Sequence, residues 1–153
     1  MESMTVEFAF RKVPAYRVAS IAWTGKWSEA KVRSNFARVE RWAKSKGLRT
    51  GKWFFREPDE HSFEVAIEVR GAAHSADGVR IRSYRAARVA TVTFDPEVVS
   101  PQVIYHGITD WLRWRRKEKK IRSVGDYREV YTADPWRNAK AWAHTTVEVI
   151  VRP

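Results

Sequence analysis

Residues 127–131, Tyr-Arg-Glu-Val-Tyr, place a carboxylate between two phenols. An extended strand points alternate side chains to opposite faces, so Tyr127, Glu129 and Tyr131 share one face. A carboxylate flanked by aromatic rings attracts cations through its charge and through cation-π contacts. The same carboxylate can serve as a general base toward a water molecule. This segment is therefore the first candidate site, with Glu129 and Tyr131 as its candidate catalytic residues.

A second strand-like run supplies further aromatic side chains. Alternation puts Trp53 and Phe55 on one face, together with Glu57. If this face and the face of Glu129 line one groove, the product is an aromatic box with an acid at its floor, suited to flat apolar ligands and lipophilic cations. The other interpretation, a solvent-exposed Glu129 shielded by its tyrosine neighbours, stays open on the residues alone. Among the remaining carboxylates, Glu64 is the one we expect to accompany Glu129.

The elements that must position these residues occur in two copies. Residues 17–23, Arg-Val-Ala-Ser-Ile-Ala-Trp, match residues 88–94, Arg-Val-Ala-Thr-Val-Thr-Phe, almost position for position. Each match is followed by apolar residues at i, i+4 and i+7, the spacing of one helix face. Ser28, and Ser100 with Pro101, supply helix starts. The predicted buried faces are Val32, Phe36, Val39 and Trp42 in the first copy, and Ile104, Ile108, Trp111 and Trp114 in the second.

Strand-like alternation surrounds both predicted helices, with turns at Glu57-Pro58-Asp59 and Asp134-Pro135. A strand precedes each helix, two follow it, and an extra strand leads each copy. The small, polar residues 72–78 form a linker between the copies. Besides the matched strands at the start of each copy, the predicted strands are 6–12, 52–56, 63–69, 79–84, 127–131 and 146–151.

We therefore predict an α+β fold built from a duplicated β-α-β-β repeat with pseudo-twofold symmetry. The halves are expected at about residues 5–70 and 79–153. An antiparallel sheet would carry the helices on one face and a ligand groove on the other. A chain of 153 residues has the length of one such domain, spanning 1–153.

Composition narrows the classes of function. Cysteine is absent and the four histidines are scattered, so we expect neither a metal nor a cofactor. No apolar run has the roughly 20 residues that cross a bilayer, and no signal peptide is evident, so we expect a cytoplasmic protein without membrane contact. Eight Trp, five Tyr and seven Phe exceed what a core of this size needs, which favours an aromatic binding surface.

The order of several motifs resembles a GyrI-like small-molecule-binding domain, the effector-binding domain of multidrug-sensing and AraC-type transcription activators. The resemblance runs from residues 13–18, Val-Pro-Ala-Tyr-Arg-Val, through 24–27, Thr-Gly-Lys-Trp, to 128–135, Arg-Glu-Val-Tyr-Thr-Ala-Asp-Pro, and the terminal strand. It implies a ligand-facing Glu129 and makes Trp27 a candidate pocket aromatic. Residues 94–99, Phe-Asp-Pro-Glu-Val-Val, depart from the His-x-Gly-Pro-Tyr-like turn usual in the second half.

The resemblance implies three kinds of behaviour: binding of hydrophobic, aromatic and often cationic compounds, hydrolysis of cyclopropane-containing genotoxic compounds, and docking on DNA gyrase. Binding of xenobiotics or drugs by a stand-alone domain is the leading interpretation. As a hydrolase, the chain would use Glu129 as general base, and Tyr127 or Tyr131 would donate a hydrogen bond to the developing phenolate. The residues of the site are the same for binding and for hydrolysis.

Positive charge is concentrated in residues 113–122, Arg-Trp-Arg-Arg-Lys-Glu-Lys-Lys-Ile-Arg, in a chain of net charge +11. Cations at the C-terminal end of a helix complement the helix dipole and solvate an exposed face, so we expect no specific nucleic-acid binding. No helix-turn-helix or zinc-finger pattern is present. A basic protein that interacts with gyrase or nucleic acid remains the third alternative. Trp23, Trp42, Trp111 and Trp114 are assigned to packing.

Overall fold

The computed structural model describes residues 6–153. The α+β class and both strand-helix-strand-strand repeats predicted from the sequence are confirmed. In chain order, the elements in this range are β1 (Ala9–Val13), β2 (Tyr16–Thr24), α1 (Glu29–Ser45), β3 (Arg49–Asp59), β4 (Ser62–Arg70), β5 (Arg80–Tyr84), β6 (Ala87–Phe94), α2 (Pro101–Lys117), β7 (Ser123–Tyr131), α3 (Ala139–Ala143) and β8 (Thr145–Arg152).

The chain divides into two compact units. The first unit comprises residues 14–86, and the second comprises residues 87–153 together with the segment that contains β1. Strand order is β5-β2-β4-β3 in the first unit and β1-β6-β8-β7 in the second. The neighbours within each unit are antiparallel. Both units therefore repeat one topology, in which an edge strand is added to the three strands of a repeat.

The two edge strands are exchanged between the repeats. β1 leads directly into β2 along the chain, yet it pairs with β6 of the second unit. β5 leads directly into β6, yet it pairs with β2 of the first unit. The rings of Phe8 and Phe10 lie 6.0 and 4.8 Å from the ring of Trp111, so the N-terminal segment also packs on the second unit.

In the first unit, α1 covers one face of the sheet. Val32, Phe36 and Val39 are buried, as their helical spacing predicts. The ring of Phe36 stacks on Trp53 of β3 with centroids 4.8 Å apart. Because Trp53 pairs with the fully buried Ile67 of β4, this row of side chains forms the core under α1.

In the second unit, α2 buries Ile104, Ile108 and Leu112 against the sheet. The expectation that Trp111 and Trp114 continue the buried face is wrong for Trp114, whose side chain is 64% exposed. Steps of four residues lead from Ile104 to Leu112, and at 100° per residue Trp114 lies about 200° around the helix from Leu112. Trp111 is half-buried beside the N-terminal segment.

Helix starts follow the predicted capping residues. The Ser28 side chain accepts a hydrogen bond from the Lys31 backbone N–H at 3.2 Å, and Ser100 precedes Pro101 at the first position of α2. The short helix α3, capped by Asn138, is not predicted from the sequence. In the described range, no helix combines the length and the apolar character that a membrane crossing requires.

Candidate functional site

Glu129 lies on the face of the second unit's sheet that α2 covers. On β7 it pairs with Val147 of β8, and Tyr127 pairs with Val149. Directly paired residues of antiparallel strands point to the same side of the sheet. Val147 and Val149 belong to the core under α2, so Glu129 lies on the helix side. The expectation that its face looks away from the helices is therefore corrected.

Two phenols hold the carboxylate of Glu129. Tyr131 donates its hydroxyl hydrogen to Oε2 at 2.6 Å, and Tyr105 of α2 donates to Oε1 at 2.9 Å. Hydrogen bonds to an ionised acceptor are shorter and stronger than those between neutral groups. Glu129 remains half-buried, while Tyr131 is only 6% exposed. The carboxylate is thus fixed in orientation and still partly open.

Tyr105 is a residue of the candidate site that the sequence pattern did not predict. Its ring stacks with that of Tyr127 at a centroid distance of 6.2 Å, and the Tyr127 hydroxyl lies 3.0 Å from Thr109 Oγ1. Four residues of a helix rise about 6 Å and two residues of a strand rise about 6.7 Å. Because these two spacings are nearly equal, residues 105 and 109 of α2 can lie opposite residues 129 and 127 of β7. The sequence pattern that could have indicated this contact is the pair of hydroxyl side chains, Tyr105 and Thr109, four residues apart on α2.

The electrostatics favour a neutral phenol beside a negative carboxylate. Burial raises the pKa of Tyr131, and the neighbouring charge of Glu129 raises it further. Tyr131 therefore stays protonated and stays a hydrogen-bond donor. Within residues 6–153, the Glu129 carboxylate accepts side-chain hydrogen bonds from those two phenols, and no Lys or Arg forms an ion pair with it.

In the first unit, Trp27 stands over an aromatic surface. Its ring lies 5.8 Å from Phe55 and 5.9 Å from Phe63, and its side chain is 60% exposed. The loop that carries Trp27 turns at Gly25, whose φ of 142° is a backbone conformation that side chains disfavour. The Gly25 N–H donates to the His61 carbonyl at 2.9 Å and fixes this loop. Trp27 and Phe55 thus meet as an accessible pair of rings.

Trp53 shares the helix-facing side with Phe55, as alternation predicts, but it is 4% exposed. Its stacking on Phe36 gives it a place in the core rather than on an open surface. A concavity with a volume of about 520 Å³ lies on the outer face of α1. It is lined by Glu29, Ala30, Arg33, Ser34 and Ala37. None of the residues assigned from the sequence lines it.

Glu64 has an environment opposite to that of Glu129. It alternates with Phe63, so it lies on the face of the first unit's sheet away from α1, where it is 3% exposed. It accepts from Arg56 Nε at 2.8 Å, from Arg82 Nη1 and from the Tyr84 hydroxyl at 3.1 Å. Burial and the charge of Glu64 raise the pKa of Tyr84. The guanidinium groups of Arg56 and Arg82 therefore neutralise the negative charge of Glu64.

The duplicated α+β repeat agrees with the class of domain that the order of the sequence motifs resembles. The chain belongs to the GyrI-like small molecule binding domain family, whose model matches residues 6–152. No curated protein is similar enough in sequence to count as a match.

Solved structures share the fold at low identity. The C-terminal domain of EcmrR has a TM-score of 0.73 at 14% identity, with 97% of this chain and 98% of that domain covered. In the EcmrR-DNA complex, where the TM-score is 0.72 at 12% identity, 97% of this chain covers 58% of the EcmrR chain. A hydrolase encoded by lin2189 from Listeria innocua has a TM-score of 0.55 at 12% identity, over 94% of this chain and 90% of that one.

Proposed function

We propose that the chain binds lipophilic aromatic cations, with Glu129 as the residue that selects positive charge. The observation that carries the proposal is the state of the Glu129 carboxylate. Both of its oxygens accept hydrogen bonds from phenols, and no basic side chain in the described range neutralises it. A partly buried carboxylate without a counterion gains most from a ligand that brings one.

Aromatic surfaces support the same ligand class. Tyr105 and Tyr127 stack beside the carboxylate in the second unit, and Trp27 and Phe55 form an accessible pair in the first unit. Ring faces attract diffuse cations by about 0.5–2 kcal/mol per contact. The structure of SAV2435 bound to tetraphenylphosphonium has a TM-score of 0.50 at 7% identity, over 95% of this chain and 94% of that one, which makes this cation a suitable probe.

The test compares Glu129→Gln with the parent protein in calorimetric titration with tetraphenylphosphonium. The substitution keeps the shape and removes the charge, so affinity should fall about 10- to 100-fold, the scale of a lost charged contact. Neutral triphenylphosphine oxide should bind both proteins equally. Glu7→Gln makes the same charge change at an exposed position of the second unit and is the matched control. Equal losses in both variants would contradict a role for Glu129 itself.

Hydrolysis of cyclopropane-containing compounds is the second candidate, favoured by the pairing of a carboxylate with a phenol that stays protonated. Glu129, oriented by Tyr131, would take a proton from the attacking water while Tyr127 donates to the oxygen that gains charge as the strained ring opens. Incubation with a cyclopropane-bearing alkylator and mass spectrometry would detect the hydrated product. Under this reaction Glu129→Gln should lower turnover by about 100-fold or more. An unchanged ligand mass with the parent protein leaves binding as the function.

A further inference from the structure

The C-terminal end of α2 and the turn after it, residues 113–122, form a surface that the ligand site does not use. We call this segment the basic end of α2. Its most unusual feature is Trp114, a large aromatic side chain that is 64% exposed. Lys117 lies one helical turn away, with Nζ 5.2 Å from the centroid of the indole ring. Cations at the C-terminal end of a helix are explained by their interaction with the helix dipole. That interaction does not explain an exposed indole at the same place.

Most of the positive charge here is not neutralised. Glu118 forms ion pairs with Arg115 at 2.8 Å and with Lys120 at 3.7 Å, and the hydrogen bond from Arg115 lowers the pKa of Glu118. Asp110 forms an ion pair with Arg113 at 3.5 Å. Within the described range, four basic residues of this segment have no carboxylate in ion-pairing reach; they are Arg116, Lys117, Lys119 and Arg122.

A fifth cation, Arg152 of β8, lies close to these four. The Arg122 backbone N–H donates to the carbonyl of Arg152 at 2.7 Å, which brings the exposed Arg152 beside the basic end. Like charges gathered in this way repel each other unless a polyanion compensates them. The turn after α2 holds these cations close together, because Lys119 adopts a left-handed conformation and its N–H donates to the Arg116 carbonyl.

We propose that the basic end of α2 binds single-stranded nucleic acid without sequence preference, with phosphates on the cations and one base stacked on Trp114. Cationic tracks with exposed aromatic rings are the usual means of binding unpaired strands. A duplex keeps its bases stacked inside and would leave Trp114 unused. A lipid surface requires an apolar helix face, whereas this segment exposes one large apolar side chain.

The test uses the full chain and a fluorescein-labelled oligo(dT) of twelve nucleotides, followed by anisotropy. Trp114→Ala should weaken binding at least about fivefold, the lower bound for loss of one stacked base. It should leave the affinity of an abasic oligomer of equal charge unchanged. Lys117→Glu with Lys119→Glu should weaken both oligomers. About four neutralised phosphates predict a slope near −3 for log affinity against log salt.

Lys26→Glu with Lys31→Glu makes the same charge change on exposed residues of the first unit and should alter affinity less than twofold. A loss as large as that of the basic-end pair would show that only total charge matters, and the proposal would fail. Stronger binding to phosphatidylglycerol vesicles or to polyglutamate than to oligo(dT) would also overturn it. Circular dichroism melting verifies that Trp114→Ala is folded.

Discussion

Tyr105 of α2 donates its phenolic hydrogen to Oε1 of Glu129 of β7 at 2.9 Å, and this bond ties a helix to the carboxylate of the candidate site. With Tyr131 on Oε2, each oxygen of Glu129 already has one donor. A ligand N–H that approached this carboxylate would have to use the second lone pair of an oxygen that a phenol already occupies. A quaternary cation, which has no such hydrogen, does not compete and interacts through charge and ring faces alone.

Replacing Tyr105 with Phe should change which cations the site prefers. Oε1 then loses its competing donor and becomes a stronger acceptor for a ligand N–H, so the affinity of a tertiary ammonium relative to its N-methylated quaternary analogue should rise about fivefold, or roughly 1 kcal/mol. Competition against tetraphenylphosphonium measures the ratio. Thr109→Val, which removes the neighbouring contact to Tyr127 instead, should leave the ratio unchanged. A ratio that does not move in Tyr105→Phe would mean that the ligand does not approach Oε1.

Tyr131 should fail to ionise in the range where free tyrosine does. Burial and Glu129 raise its pKa above the unfolded value of about 10, so its neutral form stabilises the fold below that pH, and this stability is lost as pH rises toward the folded pKa. Tyrosinate absorbance during alkaline titration should show fewer than the five tyrosines ionising before unfolding. Tyr131→Phe should flatten the alkaline decline in stability. A decline as steep as that of the parent would contradict the assignment.

Substitutions along α2 should differ sharply in cost. Ile108 is fully buried, and Ile108→Ala should lower the free energy of unfolding by about 2–5 kcal/mol through lost burial and a residual cavity. Trp114→Ala removes a larger side chain yet should cost no more than about 0.5 kcal/mol, because the ring is exposed. Urea denaturation of both variants gives the comparison. Similar losses would mean that Trp114 packs against the fold in solution.

Glu64→Gln should affect stability rather than ligand selection. Arg56 and Arg82 would lose their shared carboxylate, and since both guanidinium groups keep some solvent contact, the cost should be about 1–3 kcal/mol. Denaturant unfolding should show this loss, while tetraphenylphosphonium affinity of the folded variant stays within twofold of the parent. A large loss of affinity at unchanged stability would instead support Glu64 as a ligand-binding residue.

The sequence predicts the elements of this fold well because local patterns specify them. Two copies of one pattern, Ser28 and Pro101 at helix starts, and period-two alternation in the strands depend only on residues close in the chain. Strand exchange is not predicted, since the leading strands carry no local signal that says which repeat they join. Pairing partners depend on contacts between distant residues.

At the site, the shared face of Tyr127, Glu129 and Tyr131 follows from alternation, but the side of the sheet does not. Alternation separates two faces without saying which one the helix covers, and only the pairing with Val147 decides this. Trp111 illustrates the same limit on a helix. Residues three and four apart both fit an apolar stripe, so Leu112 and Trp111 compete for the buried position and tertiary packing chooses Leu112.

The exchanged edge strands make the two repeats dependent on each other's stretch of chain. A cut in the linker 72–78 would give an N-terminal fragment that holds β1 but lacks β5, and a C-terminal fragment that holds β5 but lacks β1. Each fragment would carry the strand that completes the other's sheet and would leave its own sheet edge open. Neither repeat thus holds all four strands of its sheet, and the sheet that begins with β2 is complete only once β5, at the start of the second repeat, has been synthesised.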